Sequence, residues 1–174
     1  SVTVAKLGVI GLPQERLHIH AMMSEKSDTE KFLSEVTGHC VAGRVLRAAR
    51  LITRHYDDAL RPTGLTITQF GLLHVIGRYE PDSISRVAEL MNLDRTSLSR
   101  NLKPLEKAGY VHRGNEGTGR KRRVLLTTLG LKKLEEARPY WKAAQAKMEA
   151  VLGETHLGNL TEALREVRPD ALAT

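Results

Sequence analysis

The chain carries a single cysteine, Cys40, so no intrachain disulfide can form. That scarcity fits a reducing, cytoplasmic setting. Aromatic residues make up only 4% of the 174 positions, with one tryptophan. A core must therefore be built from Leu, Val, Ile and Ala, a palette that favours helices. No apolar run reaches the roughly 18–20 residues that a membrane-spanning helix needs, so no membrane partner is expected. The stretch Val2–Leu12 is short, is interrupted by Lys6 and lacks the form of a signal peptide. Acidic residues are in deficit, 20 Asp+Glu against 27 Lys+Arg, which gives a formal charge of +7. A basic balance favours a polyanionic partner, but the total alone does not separate DNA, RNA and anionic membrane.

Groups for catalysis or metal binding are also missing. No nucleophile, base and orienting residue fall into a set, so no enzyme activity and no cofactor are expected. The seven histidines include His18 and His20 near the start and His39 beside Cys40. His55, His74, His112 and His156 are scattered, and no pair has zinc-ligand spacing. Gly114-x-x-Gly117-x-Gly119 lacks the Gly-Lys-Ser/Thr ending of a phosphate loop and precedes a strand pattern, so it reads as a turn.

The patterning that is present is mostly helical. Residues 1–30 read as an N-terminal extension, with Ser24–Glu30 a solvated linker. A long helix follows from about Phe32 to Leu60, with Val41, Val45, Ala48, Ile52, Tyr56 and Ala59 at three- and four-residue spacing. Arg61-Pro62-Thr63-Gly64 breaks it. Thr66-Ile67-Thr68-Gln69 has the form of a capping box opening a helix to Arg78. Ile84–Met91 and Asp94–Ala108 read as two short helices joined by a tight turn. Asp94 is the N-cap of the second, and Gly109 is its left-handed C′ residue. Tyr110–Arg113 and Arg123–Leu126 read as a hairpin with a glycine-rich tip. Thr127 caps a final helical region, a long helix from Leu129 to about Leu152 with a kink near Pro139, then a shorter one over His156–Val167.

The charge is concentrated. Asp94–Arg123 holds nine bases and three acids, +6 of the chain's +7. One basic helix alone is ordinarily a solvated face. Here cap, turn, hairpin and charge coincide, which is what a winged helix-turn-helix needs against double-stranded DNA. Leu98, Leu102 and Leu105 supply the inner face of the second helix. Arg95, Thr96, Ser97, Ser99, Arg100 and Lys103 remain for bases and phosphates. Arg100 and Ser97 are the candidates for base contact, Arg95 and Lys103 for phosphates. Arg113, Arg120, Lys121, Arg122 and Arg123 are the candidates on the hairpin.

Thr66–Leu73 (TITQFGLL), Ser83–Val111 (SISRVAELMNLDRTSLSRNLKPLEKAGYV) and Val124–Gly130 (VLLTTLG) together resemble the MarR family of transcriptional regulators, from about Cys40 to the C-terminus. The resemblance implies a mainly α (α+β) fold. In it, a winged helix-turn-helix (63–127) is embedded between N- and C-terminal dimerisation helices (31–62 and 128–174). It implies a homodimer on a pseudo-palindromic operator, usually a repressor released by a small ligand or by oxidation. The family wing commonly has Asp-x-Arg before the second strand. Arg120 matches the arginine, whereas Thr118 stands at the aspartate position, which leaves the wing's hold on Arg120 open. Pro104, inside the second helix, is expected to bend it, as in similar relatives.

An effector pocket is implied between the dimerisation helices and the winged helix, for a small aromatic or anionic ligand. His55, Tyr56, Phe70, His74 and Trp141 are candidate lining residues, with packing as the plainer role for each. Two alternatives stay open: a thiol-based redox-sensing repressor using Cys40, and a non-specific nucleic-acid-binding module. Peroxide-sensing relatives keep a cysteine near Cys40. Aligned on Arg50–Gly64, Cys40 falls about two residues early, on a different helix face.

Overall fold

The computed structural model describes residues 14–114 and 123–172, with side chains described from residue 26 onward. The elements are α1 (Gln14–His39), α2 (Val41–Leu60), a 3-10 turn (Arg61–Thr63), α3 (Ile67–Tyr79), α4 (Ile84–Met91), α5 (Arg95–Lys107), β1 (Val111–Arg113), β2 (Val124–Leu126), α6 (Thr128–Glu166) and α7 (Pro169–Leu172). The strands form a two-stranded antiparallel sheet with Val111 opposite Leu126 and Arg113 opposite Val124. The fold is therefore mainly helical with one small hairpin, as expected. Two compact units divide between Ala49 and Arg50.

In the first unit, the linker expected at Ser24–Glu30 is helical and belongs to α1. Its Glu and Lys residues are good helix formers despite their polarity, and Asp28 pairs with Lys31 one turn on (3.9 Å). The single helix expected over Phe32–Leu60 is divided at Cys40. Gly38 weakens the helix just before that point. Cys40 Sγ then accepts the Gly43 N–H (3.4 Å) at the start of α2.

The core lies in the second unit. Leu60, Leu72, Leu73, Ile76, Val87, Leu98, Leu102, Leu105, Val111 and Val124 are at most 2% exposed, and Ala137 of α6 closes the cluster. Burying one such side chain contributes roughly 1.5–3 kcal/mol, so this layer fixes how α3, α4, α5 and the hairpin sit together. The capping box at Thr66 forms in full, with Gln69 N donating to Thr66 Oγ1 (3.3 Å) and Thr66 N to Gln69 Oε1 (3.1 Å).

α6 departs from expectation in one respect. Its dihedrals stay helical through Pro139, where a kink was expected, while the break at Gly153 (φ 73°, ψ 160°) falls in the gap expected between Leu152 and His156. Those angles are open to glycine and costly for other residues. Pro139 forfeits one N–H within a turn that buried Ala137 and Ala144 hold against the core. Pro104 likewise lies inside an α5 that stays helical from Arg95 to Lys107.

Candidate nucleic-acid interface

The helix-turn-helix is assembled by side-chain caps. Ser83 Oγ accepts the Arg86 N–H (3.2 Å) at the start of α4. Asn92 closes that helix in the left-handed region (φ 47°), its N–H reaching back to Ala88 and Glu89. Asp94 then caps α5, with Oδ1 accepting Ser97 N–H (2.9 Å) and Oδ2 accepting the Ser97 hydroxyl (2.6 Å). The Ser97 hydroxyl and then its backbone N–H hold the Asp94 carboxyl below the usual aspartate range. Gly109 follows α5 with φ 75°, as its C′ role requires.

At 3.6 residues per turn, three stripes separate on α5. Thr96, Arg100, Lys103 and Lys107 lie opposite the buried Leu98, Leu102 and Leu105, and all four are exposed. Arg95, Ser99 and Glu106 form the flank facing β1. Ser97 and Asn101 form the other flank, where Asn101 Nδ2 donates to Ser97 O (2.9 Å). The residues singled out from sequence therefore divide by direction, and Ser97 is already committed to capping. Lys107 was overlooked as an outward base, although a seven-residue step from Arg100 predicts it.

Arg113 does not stand free. Its Nε and Nη2 donate to the two carboxylate oxygens of Glu106 (2.5 and 3.4 Å). An exposed pair of this kind contributes roughly 0–1 kcal/mol, so its main consequence is orientation. Arg123, just before β2, is half-buried, and its Nε is buried without a hydrogen-bond partner among the described residues. Thr118, Arg120, Lys121 and Arg122 lie outside the described residues.

The hairpin base is fastened to α6. Thr127 N donates to Tyr110 O (3.0 Å), and the Thr127 hydroxyl lies 2.7 Å from Gly109 O and accepts Gly130 N–H (3.0 Å). A Cβ at Gly130 would sit 2.1 Å from Tyr110 O, so only glycine lets α6 approach the strand this closely. Lys133 also lies over the Tyr110 ring (5.8 Å).

The candidate effector residues separate into two groups. Phe70 stacks on Trp141 (6.1 Å between centroids, 14° between planes). With His74, Leu134, Glu135 and Arg138 they line a groove of about 500 Å³ between α3 and α6. His55 and Tyr56 are engaged elsewhere on α6. His55 Nε2 is 3.0 Å from Ala144 O, and the Tyr56 hydroxyl donates to Gln145 Oε1 (2.6 Å). Burial, then the nearby Glu149, pushes the Tyr56 phenol up. Cys40 is exposed. Among the described residues no cluster could hold a metal ion, and no helix is long and apolar enough to cross a membrane.

A helix-turn-helix with a basic hairpin, framed by further helices, defines a DNA-binding transcriptional regulator. The model of the MarR family matches residues 63–122. An uncharacterized HTH-type transcriptional regulator of Bacillus cereus (strain ATCC 10987) is 30% identical over 125 residues, which is 71% of this chain and 84% of that one. The transcriptional regulator MosR of M. tuberculosis, solved in complex with DNA, is 35% identical with a TM-score of 0.61, covering 75% of this chain and 99% of that one. A Mycobacterium tuberculosis MarR-family protein solved with salicylic acid shares the fold at 23% identity and a TM-score of 0.58, over 74% of this chain and 96% of that one. The chain belongs to the MarR family of transcriptional regulators.

Proposed function

We propose that the protein is a homodimeric, sequence-specific repressor that binds a pseudo-palindromic operator and leaves it when a small aromatic or anionic ligand binds. The observation that carries the DNA reading is the outward stripe of α5. Thr96, Arg100, Lys103 and Lys107 are exposed on a helix whose opposite face is locked into the core. Arg100 is the residue for a guanine edge, with Thr96 beside it. Lys103, Lys107 and the hairpin bases Arg120, Lys121, Arg122 and Arg123 serve the phosphates. The DNA complex of MosR supports this reading.

The dimer is supported by the apolar residues left uncovered on the outer helices. Val41 is 71% exposed and Val151 67%, with Leu46, Leu51, Leu160 and Leu164 also exposed. Such residues belong to 31–62 and 128–174, the proposed dimerisation helices, and need a partner to leave water. The groove at Phe70 and Trp141 supports the ligand reading. It offers an aromatic wall, with the Arg138 guanidinium and the His74 ring as donors for an acid group.

Capture of genomic fragments by the full chain tests the proposal. Enriched inverted repeats with half-site centres about one helical turn (~34 Å) apart are expected. Uniform recovery of unrelated duplexes would favour a non-specific module instead. For the groove, salicylate is a suitable probe. Emission from Trp141, the sole tryptophan, is expected to change on titration and to do so together with release of bound DNA. DNA release without any change at Trp141 would move the ligand site elsewhere.

A further inference from the structure

A second groove, of about 510 Å³, lies along the inner flank of α5, where Ser85 of α4, Arg95 and Ser99 of α5 and Arg113 of β1 meet over an apolar floor. The geometry points to this seam as the seat of one phosphodiester of the DNA backbone, with Glu106 as the residue that aims Arg113 into it. The inference rests on the proposed DNA reading and assigns a phosphate contact within it.

Three observations support it. The first is topological. Any duplex that takes α5 in its major groove and the hairpin in the adjacent minor groove must lay the intervening backbone strand across the seam between them. The second is chemical. Two guanidinium groups and two hydroxyls line the groove, and none of its lining residues is acidic. These are the donors that hold phosphate oxygens and fix register without reading sequence. The third is the Arg113–Glu106 pair. Glu106 takes Nε and Nη2 side-on. A guanidinium has five N–H bonds, so the two on Nη1 and one on Nη2 stay available. A lone, flexible arginine would have to be ordered when DNA binds. Here the carboxylate has already ordered it, which lowers the entropic cost of the contact. Glu106 is therefore a positioning residue, and Arg113, Arg95, Ser85 and Ser99 are the ligands.

The test uses the full chain and a duplex recovered from a random-sequence pool, remade with a neutral methylphosphonate at one backbone position at a time. For the wild type, one position per half-site is expected to weaken binding about tenfold. Arg113→Ala should weaken binding of the unmodified duplex by a similar factor and become insensitive to the methylphosphonate at that position alone. It should also lower the slope of log affinity against log salt by about 0.9 per subunit. Glu106→Gln should lose affinity yet keep the sensitivity at that phosphate, which separates aiming from contact. Ser99→Ala, a milder change on an exposed residue, should reduce the same sensitivity without altering thermal stability. An Arg113→Ala protein with the wild-type methylphosphonate profile and salt slope would overturn the proposal. So would equal loss of sensitivity in Glu106→Gln, which would make the pair structural only. Should the pool yield no preferred sequence, the proposed function fails. The seam is then judged by the salt slope of Arg113→Ala on a mixed-sequence duplex, where an unchanged slope refutes it.

Discussion

The winged helix and the outer helices use the same residue types in opposite ways. In the winged helix Leu72, Leu73, Leu98 and Leu102 are at most 1% exposed, and every helix start from α3 to α6 has a side-chain cap. In the outer helices Leu33, Leu46, Leu51 and Leu164 are each at least half exposed. The first region closes its apolar core and caps its helix starts within one chain. The second leaves apolar surface that only a further contact can cover. The reading head thus closes its own core, while the outer helices leave apolar surface for the proposed dimer.

The largest effect that sharpens this contrast is expected from Leu102→Ala. It should cost about 2–5 kcal/mol in urea unfolding, by the same amount at every protein concentration. A concentration-dependent loss would mean that the winged helix also depends on assembly. Gly130→Ala should follow at about 1–3 kcal/mol, because Tyr110 O occupies the space and the strand must yield. Its DNA affinity should fall as well, since the same contact sets the hairpin on α6. Normal stability and affinity would show that the junction is looser than its hydrogen bonds imply. Leu164→Glu should do the reverse. Light scattering should show a shift from dimer to monomer, while the intrinsic stability of the winged helix changes by no more than about 0.5 kcal/mol. A dimer as tight as wild type would remove this part of α6 from the interface.

The smallest effect concerns pH. Hydrogen bonds from Ser97 hold the Asp94 carboxyl below the usual range. A folded value lowered in this way contributes stability that is present above the ordinary aspartate range and is lost as pH falls through the lowered value. The amide resonance of Ser97 should therefore titrate with a midpoint below that of an ordinary aspartate. A midpoint at or above the ordinary value would mean that the cap is not held in solution.

How much of this was legible in the sequence follows from how local each signal is. The caps at Thr66, Asp94 and Thr127 act within three residues, and all were readable. The inner face of α5 and the two short strands follow from periods of 3.6 and 2, and they too were readable. The break at Gly153 falls in the gap expected between Leu152 and His156, but the kink expected near Pro139 does not form. A proline's cost is visible in a sequence, but whether buried neighbours such as Ala137 and Ala144 outweigh it is not. Helix over Ser24–Glu30 was missed because polarity was read as absence of structure. In the candidate site, the outward bases were readable as a set. Counting charges could not show that Arg113 faces Glu106 across the turn, or that Ser97 spends its hydroxyl on Asp94. His55 and Tyr56 stood with Phe70, His74 and Trp141 as candidate lining residues of one pocket that the resemblance implied. Only the crossing of α2 and α6 reveals that Ala144 and Gln145 engage them.

The most direct test of the central claim repeats the binding-site selection with Arg100→Ala beside the wild type. The account predicts that preference at one base pair per half-site disappears, that affinity for the selected duplex falls by about 1–3 kcal/mol, and that preference elsewhere in the half-site persists. An unchanged preference at every position would contradict the assignment of α5 as the helix that reads the operator.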